Sequence, residues 1–191
     1  MTVPKICREV NAAYLKQWGE PSGSIVFENP AYLPTSKLSV FIWEASDEDD
    51  ITLAATIGMC CASMADAQHR AELHFAIAGL LTNQEITSVA RYLANLTAYP
   101  FDNHTHLDWW HKLSDTGSIP RFTGFKSALL HPKFAESGLD TIGTSEGLVK
   151  ILNIVPLLPE EAAIASVSAL VQYFQENNID LFSPRKNEIR T

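Results

Sequence analysis

The chain has 191 residues, 46% of them hydrophobic and 19% charged, the composition of a folded domain rather than a disordered segment. At that length roughly 70% of the unfolded surface can be buried, so a core needs no staple. Against 22 Asp and Glu stand 14 Lys and Arg, a formal charge of -8, which argues against a nucleic-acid binder held by phosphate contacts and leaves room for a basic protein partner steered by the opposite field.

Pro4 suits the first turn of a helix in which Ile6, Val10, Ala13, Tyr14 and Trp18 recur at helical spacing, and Gly19, Pro21 and Gly23 end it. Residues 24–28 alternate around Ile25 and Phe27 as a strand, and residues 38–45, rich in β-branched and aromatic side chains, form a clearer one. The acidic run Asp47, Glu48, Asp49, Asp50 follows, and residues 51–58 read as the returning strand of a hairpin with an acidic tip.

Over residues 70–78, Ala71, Leu73, Phe75 and Ile77 alternate with Arg70, Glu72 and His74, the pattern of a half-buried strand. Thr82 and Glu85 match a capping box, and Ile86, Val89, Ala90, Leu93 and Leu96 continue as a helix to about Ala98. Tyr99-Pro100 is expected to close it, because a residue before proline avoids the α region. Residues 99–124, with Pro100, Gly117, Pro120 and Gly124, read as an irregular connection without a helix of three turns.

Short strands are expected at 125–130 and, nearly all apolar and therefore central, at 148–157. Pro159 with Glu160 and Glu161 opens a last helix lined by Ile164, Val167, Leu170, Val171 and Phe174, with Asn177 and Asn178 at its end. The polar tail 184–191 is expected to fray. No repeat or low-complexity linker divides the chain. The order of elements predicts an α+β fold in a single domain over residues 1–191, an α/β sandwich in which helices flank a mixed β-sheet.

The chain contains no nucleophile elbow, phosphate loop, dinucleotide turn or H-E-x-x-H pair. His104, His106, Asp108 and His111 are the best metal candidates, since H-x-H spacing on a strand aims both rings to one side; ordinary solvated or packed histidines are the plainer reading. Cys7, Cys60 and Cys61 lack C-x-x-C spacing, so neither a redox motif nor a zinc half-site is encoded, and they read as buried, unreactive thiols, with neither a disulfide nor redox work expected of Cys60 and Cys61. No apolar leader is seen in the first residues, and the longest apolar stretch, 51–62, is too short for a bilayer. A cytoplasmic protein that binds neither membrane nor nucleic acid is expected. Asp47, Glu48, Asp49 and Asp50 form a solvated tip that could meet a basic partner, and of Trp109 and Trp110 one is expected to pack inward while the other could contact that partner.

From Leu38 onward the order of segments resembles the suppressor-of-fused (SUFU) domain family. Arg70-Ala71-Glu72-Leu73 resembles its R-x-E-L strand, followed by the helix and Tyr99-Pro100; Asn103-His104-Thr105 stands where a G-H-T loop is usual. Leu129-Leu130 with Pro132 resembles an L-L-x-P segment, and Ile154-Val155-Pro156-Leu157 with Glu160 and Glu161 resembles the closing strand and helix start. The similarity spans about 38–174, with Asn103 in place of glycine and a long Trp109-Trp110 stretch as departures. The resemblance implies an α/β sandwich, no catalytic residues, no cofactor and a protein partner. It further implies a small bacterial member without the second domain through which eukaryotic members restrain a transcription factor. Many such small members are inferred to be immunity proteins of polymorphic toxin systems. The reading is a non-enzymatic protein-binding module, an immunity protein neutralising a basic toxin domain by direct binding. The rivals are a metal-dependent enzyme using His104, His106, Asp108 and His111, and a regulatory interaction domain with no toxin partner.

Overall fold

The computed structural model describes residues 3–33, 37–133 and 138–185. Helix α1 (Lys5–Trp18) leads into strands β1 (Gly23–Glu28), β2 (Lys37–Trp43), β3 (Ile51–Ile57) and β4 (Arg70–Ala78), each antiparallel to the one before. Helix α2 (Asn83–Asp102) follows, then β5 (Lys112–Leu113), β6 (Ser127–His131), β7 (Thr141–Thr144), β8 (Gly147–Leu157), α3 (Pro159–Ala162) and α4 (Val167–Glu176). The strands form one sheet in the order β1-β2-β3-β4-β8-β6-β5, with β7 paired to the first part of β8. Only β4 and β8 pair in parallel among the described strands, so the sheet is mixed, as expected.

Period-two alternation divides the sheet's side chains into two apolar layers. One face carries Val40, Ile42, Leu73, Phe75, Leu152 and Ile154 against Val89, Leu93 and Leu96 of α2. The other carries Trp43, Ala55, Val149 and Ile151 against Ile6, Val10 and Tyr14 of α1, and Leu129, Val155 and Leu157 against Leu170 and Phe174 of α4. Helices therefore flank both faces of the sheet in an α+β fold.

The capping box that starts α2 is present: Glu85 N–H donates to Thr82 Oγ1 at 3.3 Å and Thr82 N–H to Glu85 Oε2 at 2.8 Å. Its end differs from expectation. Pro100 lies inside the last turn; it removes one ladder donor, but Asn103 N–H still reaches Tyr99 O and Thr105 N–H reaches Pro100 O, so the helix runs on to Asp102. From Asn103 to Gly124 the chain is irregular apart from β5. His104, Trp110, Asp115 and Arg121 turn it through left-handed backbone.

Three further expectations need correction. Strand β4 is buried on both faces, with Glu72 and His74 at 0% and 1% exposure, because α1 covers the face they occupy. The single last helix is two: the chain leaves helix after Ala162, Lys112 Nζ takes up the carbonyls of Ala162 (3.1 Å) and Ile164 (2.6 Å), and Ser166 caps α4 by accepting from Ala169 N–H. Within the expected frayed tail, Arg185 is anchored by a bidentate pair with Glu161; residues 186–191 lie outside the described ones. Strand β7 carried no signal in the sequence reading.

Candidate interaction face

The tip between β2 and β3 is built by Ser46. Its Oγ accepts from the backbone N–H groups of Glu48 (3.3 Å) and Asp49 (3.2 Å), while its own N–H donates to Asp49 O at 2.8 Å. These local bonds hold a tight reversal, and Gly79 N–H fastens it to the end of β4 through Asp50 O at 2.9 Å. Asp47, Glu48, Asp49 and Asp50 are all exposed.

Beside the tip, between the end of α1 and the segment around Phe182, lies a cleft of about 520 Å³ whose lining includes Glu44, Asp49, Trp18, Trp43 and His74. The Trp18 ring is 5.3 Å from Trp43 and 5.1 Å from His74, and Trp43 Nε1 donates to Gly19 O at 3.1 Å. Burial holds the His74 imidazole far below its ordinary range, at about 3, so that ring adds no positive charge, and the cation in the lining is Lys133, set against Glu44 and Asp49. A cleft lined by both carboxylates and aromatic rings suits a Lys or Arg side chain, drawn by the carboxylate charge and the ring quadrupole.

Of the tryptophan pair, Trp109 packs inward with Nε1 donating to Ile151 O at 2.9 Å and the Lys150 ammonium 4.6 Å above its ring. Trp110 is 40% exposed and meets the His131 ring edge-on at 4.7 Å. His74 pairs with Asn153 and Asn153 with His131, and paired residues share a face. One row across the sheet thus joins the floor of the cleft to the edge where Trp110 sits. The structure places Asp49 in the cleft lining and Trp110 at the far end of that row. Asp47, Glu48 and Asp50 stay on the tip outside the cleft, and Trp109 is half-buried against the core. The cleft aromatics escaped the sequence reading, because Trp18 and Trp43 meet through the packing of α1 and no local spacing joins them.

The histidine cluster forms differently from the H-x-H expectation. His104 occupies a left-handed turn after α2, while His106 lies 5.2 Å from His111 and 6.4 Å from His69, ring to ring. Partial burial works against the Asp108 charge, but Lys150 Nζ at 2.6 Å and Trp109 N–H at 2.6 Å hold that carboxyl below its usual range. Burial and the neighbouring His106 push His111 down. Asp108 is thus committed to Lys150.

Among the described residues the ligand atoms that converge are sulfurs: Cys7, Cys60 and Cys61 Sγ all lie within 4.8 Å of one another, with Cys7 and Cys61 at 2.7 Å. All three are free, and the buried-thiol reading holds for Cys7 and Cys60 but not for the half-buried Cys61. Hydrogen bonds from Cys60 and Cys7, with the charge of Arg70, hold the Cys61 thiol well below its ordinary range. Spacing could not reveal this cluster, since 54 residues separate Cys7 from Cys61.

The family described as Suppressor of fused protein (SUFU) matches residues 34–186, a span that contains the resemblance read over 38–174. Among solved structures, a SUFU homolog from Neisseria gonorrhoeae superposes with a TM-score of 0.64 at 14% identity, covering 94% of this chain and 93% of that one. A chain of the Sufu-Fu complex gives 0.63 at 14% identity, covering 97% and 90%, and Drosophila Suppressor of Fused gives 0.62 at 14% identity, covering 94% and 48%. At this identity the likeness is one of fold. No curated protein matches in sequence.

Proposed function

We propose that this chain, which belongs to the suppressor of fused protein family, is a non-enzymatic protein-binding module that takes a basic partner segment on the face between its acidic hairpin tip and Trp110. The observation that carries the reading is the cleft whose lining joins Glu44 and Asp49 with Trp18 and Trp43, beside three more exposed carboxylates on the tip. The fold likeness to a chain of the Sufu-Fu complex, named as an assembly with a protein partner, agrees with this. The Asp108 carboxylate, the best hard ligand for a catalytic metal in the rival reading, is engaged by Lys150 instead.

The finer reading is an immunity protein, bacterial and cytoplasmic, that acts as one domain and neutralises a toxin by direct binding. A charge of -8 complements a nuclease-type toxin, whose surface must be cationic to hold phosphate. The test is co-expression with the product of an adjacent toxin-like reading frame, scored by growth and by purification of a stoichiometric complex. Restored growth with a one-to-one complex is the expected result. A complex without rescue leaves a regulatory binder and ends the immunity reading. Neither complex nor rescue, together with metal-dependent turnover that His106→Ala abolishes, ends the binding-module reading.

A further inference from the structure

We propose that Cys7, Cys60 and Cys61 form a binding site for a single thiophilic d10 metal ion, Zn2+ or Cu+, between the first turns of α1 and the connection from β3 to β4. The three sulfurs lie within 4.8 Å of one another. Two thiolates on one ion, each at about 2.3 Å, stand at most about 4.6 Å apart, so side-chain rotation suffices to bring all three onto one centre. Cys7 and Cys61, at 2.7 Å, open by about 1 Å to reach the roughly 3.8 Å of a tetrahedral site.

The scaffold is fixed before any ion arrives. Cys60 and Cys61 lie on one 3-10 turn, Met59–Cys61, in which successive side chains are a third of a turn apart, so neighbours in sequence can bracket one point. Gly58 starts that turn at φ 132, where a Cβ would lie 3.0 Å from the Lys37 carbonyl oxygen; the chain can enter there only as glycine. The fully buried Glu72 accepts the N–H groups of Gly58 (2.7 Å) and Cys60 (3.1 Å), and Arg70 Nη1 donates to Cys60 O at 2.9 Å. These are the outer contacts that hold ligands in place around a metal.

Three sulfurs select soft ions over Mg2+ or Ca2+. Cu+ is satisfied by three thiolates, while Zn2+ takes a solvent fourth ligand beside the half-buried Cys61, which is also the way in. On binding, each coordinating thiol releases its proton to solvent as the metal–sulfur bond forms, with no change of oxidation state.

The test uses the untagged chain, freed of metal by chelator under a phosphine reductant and titrated with Co2+ as a coloured probe. One equivalent is expected to raise sulfur-to-cobalt charge-transfer absorption in the near ultraviolet, and one equivalent of Zn2+ or Cu+ to displace it. Competition against chelators of known affinity for each ion identifies the native one. Cys7→Ser and Cys61→Ser are each expected to weaken binding by about tenfold or more, and His106→Ala to leave it unchanged. Cys61 is partly exposed, so Cys61→Ser keeps the fold, which far-ultraviolet circular dichroism checks. Absence of the one-to-one band, its survival in both cysteine variants, or its loss in His106→Ala overturns the proposal. So does diamide closing a Cys7–Cys61 disulfide equally fast with and without one equivalent of metal.

Discussion

His74 Nε2 lies 2.8 Å from the Tyr14 hydroxyl, and that hydroxyl in turn donates to Thr56 O at 3.2 Å. The Tyr14 proton is therefore spent, and His74 is the donor, neutral with its proton on Nε2. Burial holds its pKa at about 3, below the unfolded value of about 6.5. Between those values the unfolded chain binds a proton that the folded chain refuses. Stability is thus complete above about pH 6.5 and falls as pH drops toward 3. From pH 7 to pH 5 this group alone is expected to remove about 2 kcal/mol. Urea unfolding of His74→Gln, which keeps a donor for Tyr14, should lose that much less over the same interval; parallel curves for the two proteins would refute the assignment.

The same residue shows where sequence reasoning stops. Alternation in β4 places Glu72 and His74 together on one face, and they are together. A period of two says nothing about whether a helix covers that face, and α1, returning from the other end of the chain, does cover it. Glu72 is tolerated there because Thr56 Oγ1 at 2.5 Å and the Gly58 and Cys60 N–H groups satisfy its oxygens. The tip was legible because four successive carboxylates cannot be buried, and the helix start at Thr82 because a capping box is local. The cleft and the sulfur cluster join residues distant in sequence, and the break after Ala162 depends on Lys112 from another strand. Such features follow from tertiary packing, which no window of sequence contains.

Arg185 ties the end of the described chain to the sheet. Its guanidinium pairs with both oxygens of Glu161 at 3.1 and 2.7 Å and donates to Pro156 O at 2.7 Å, with Glu161 at 1% side-chain exposure. Arg185→Ala strands a buried carboxylate and is expected to cost about 3 kcal/mol. The double variant Glu161→Gln/Arg185→Met, which removes both charges, should cost less than that single change. A cost below about 1 kcal/mol for Arg185→Ala in denaturant titration would show the pair to be open to water.

The capping box on α2 gives a smaller, local effect. Thr82→Ala removes the acceptor for Glu85 N–H and half of the reciprocal pair, with an expected cost of about 1 kcal/mol. Glu85 is held down to about 2 by the Thr82 N–H first and then by Arg121 at 2.9 Å. Thr82→Ala spares that backbone donor, so the Glu85 titration followed by NMR should stay well below the usual carboxylate range. A return to about 4.3 would show that the cap geometry collapses without the hydroxyl.

The last prediction concerns the contact face. Rim charges act chiefly on association rate, through a field that salt screens within about 10 Å at moderate ionic strength. Asp47, Glu48, Asp49 and Asp50 are exposed, so replacing all four by Asn or Gln should leave thermal stability within about 0.5 kcal/mol. It should slow association with the basic partner captured in the co-expression test, and flatten the salt dependence of that rate in stopped-flow measurements. Trp110→Ala should act differently: a 40%-exposed aromatic at the edge of the face contributes through burial in the complex, so its loss should speed dissociation and leave association unchanged. Equal association rates at low salt for wild type and the quadruple variant would remove the tip from the contact surface. Unaltered dissociation in Trp110→Ala would confine the contact to the cleft beside α1.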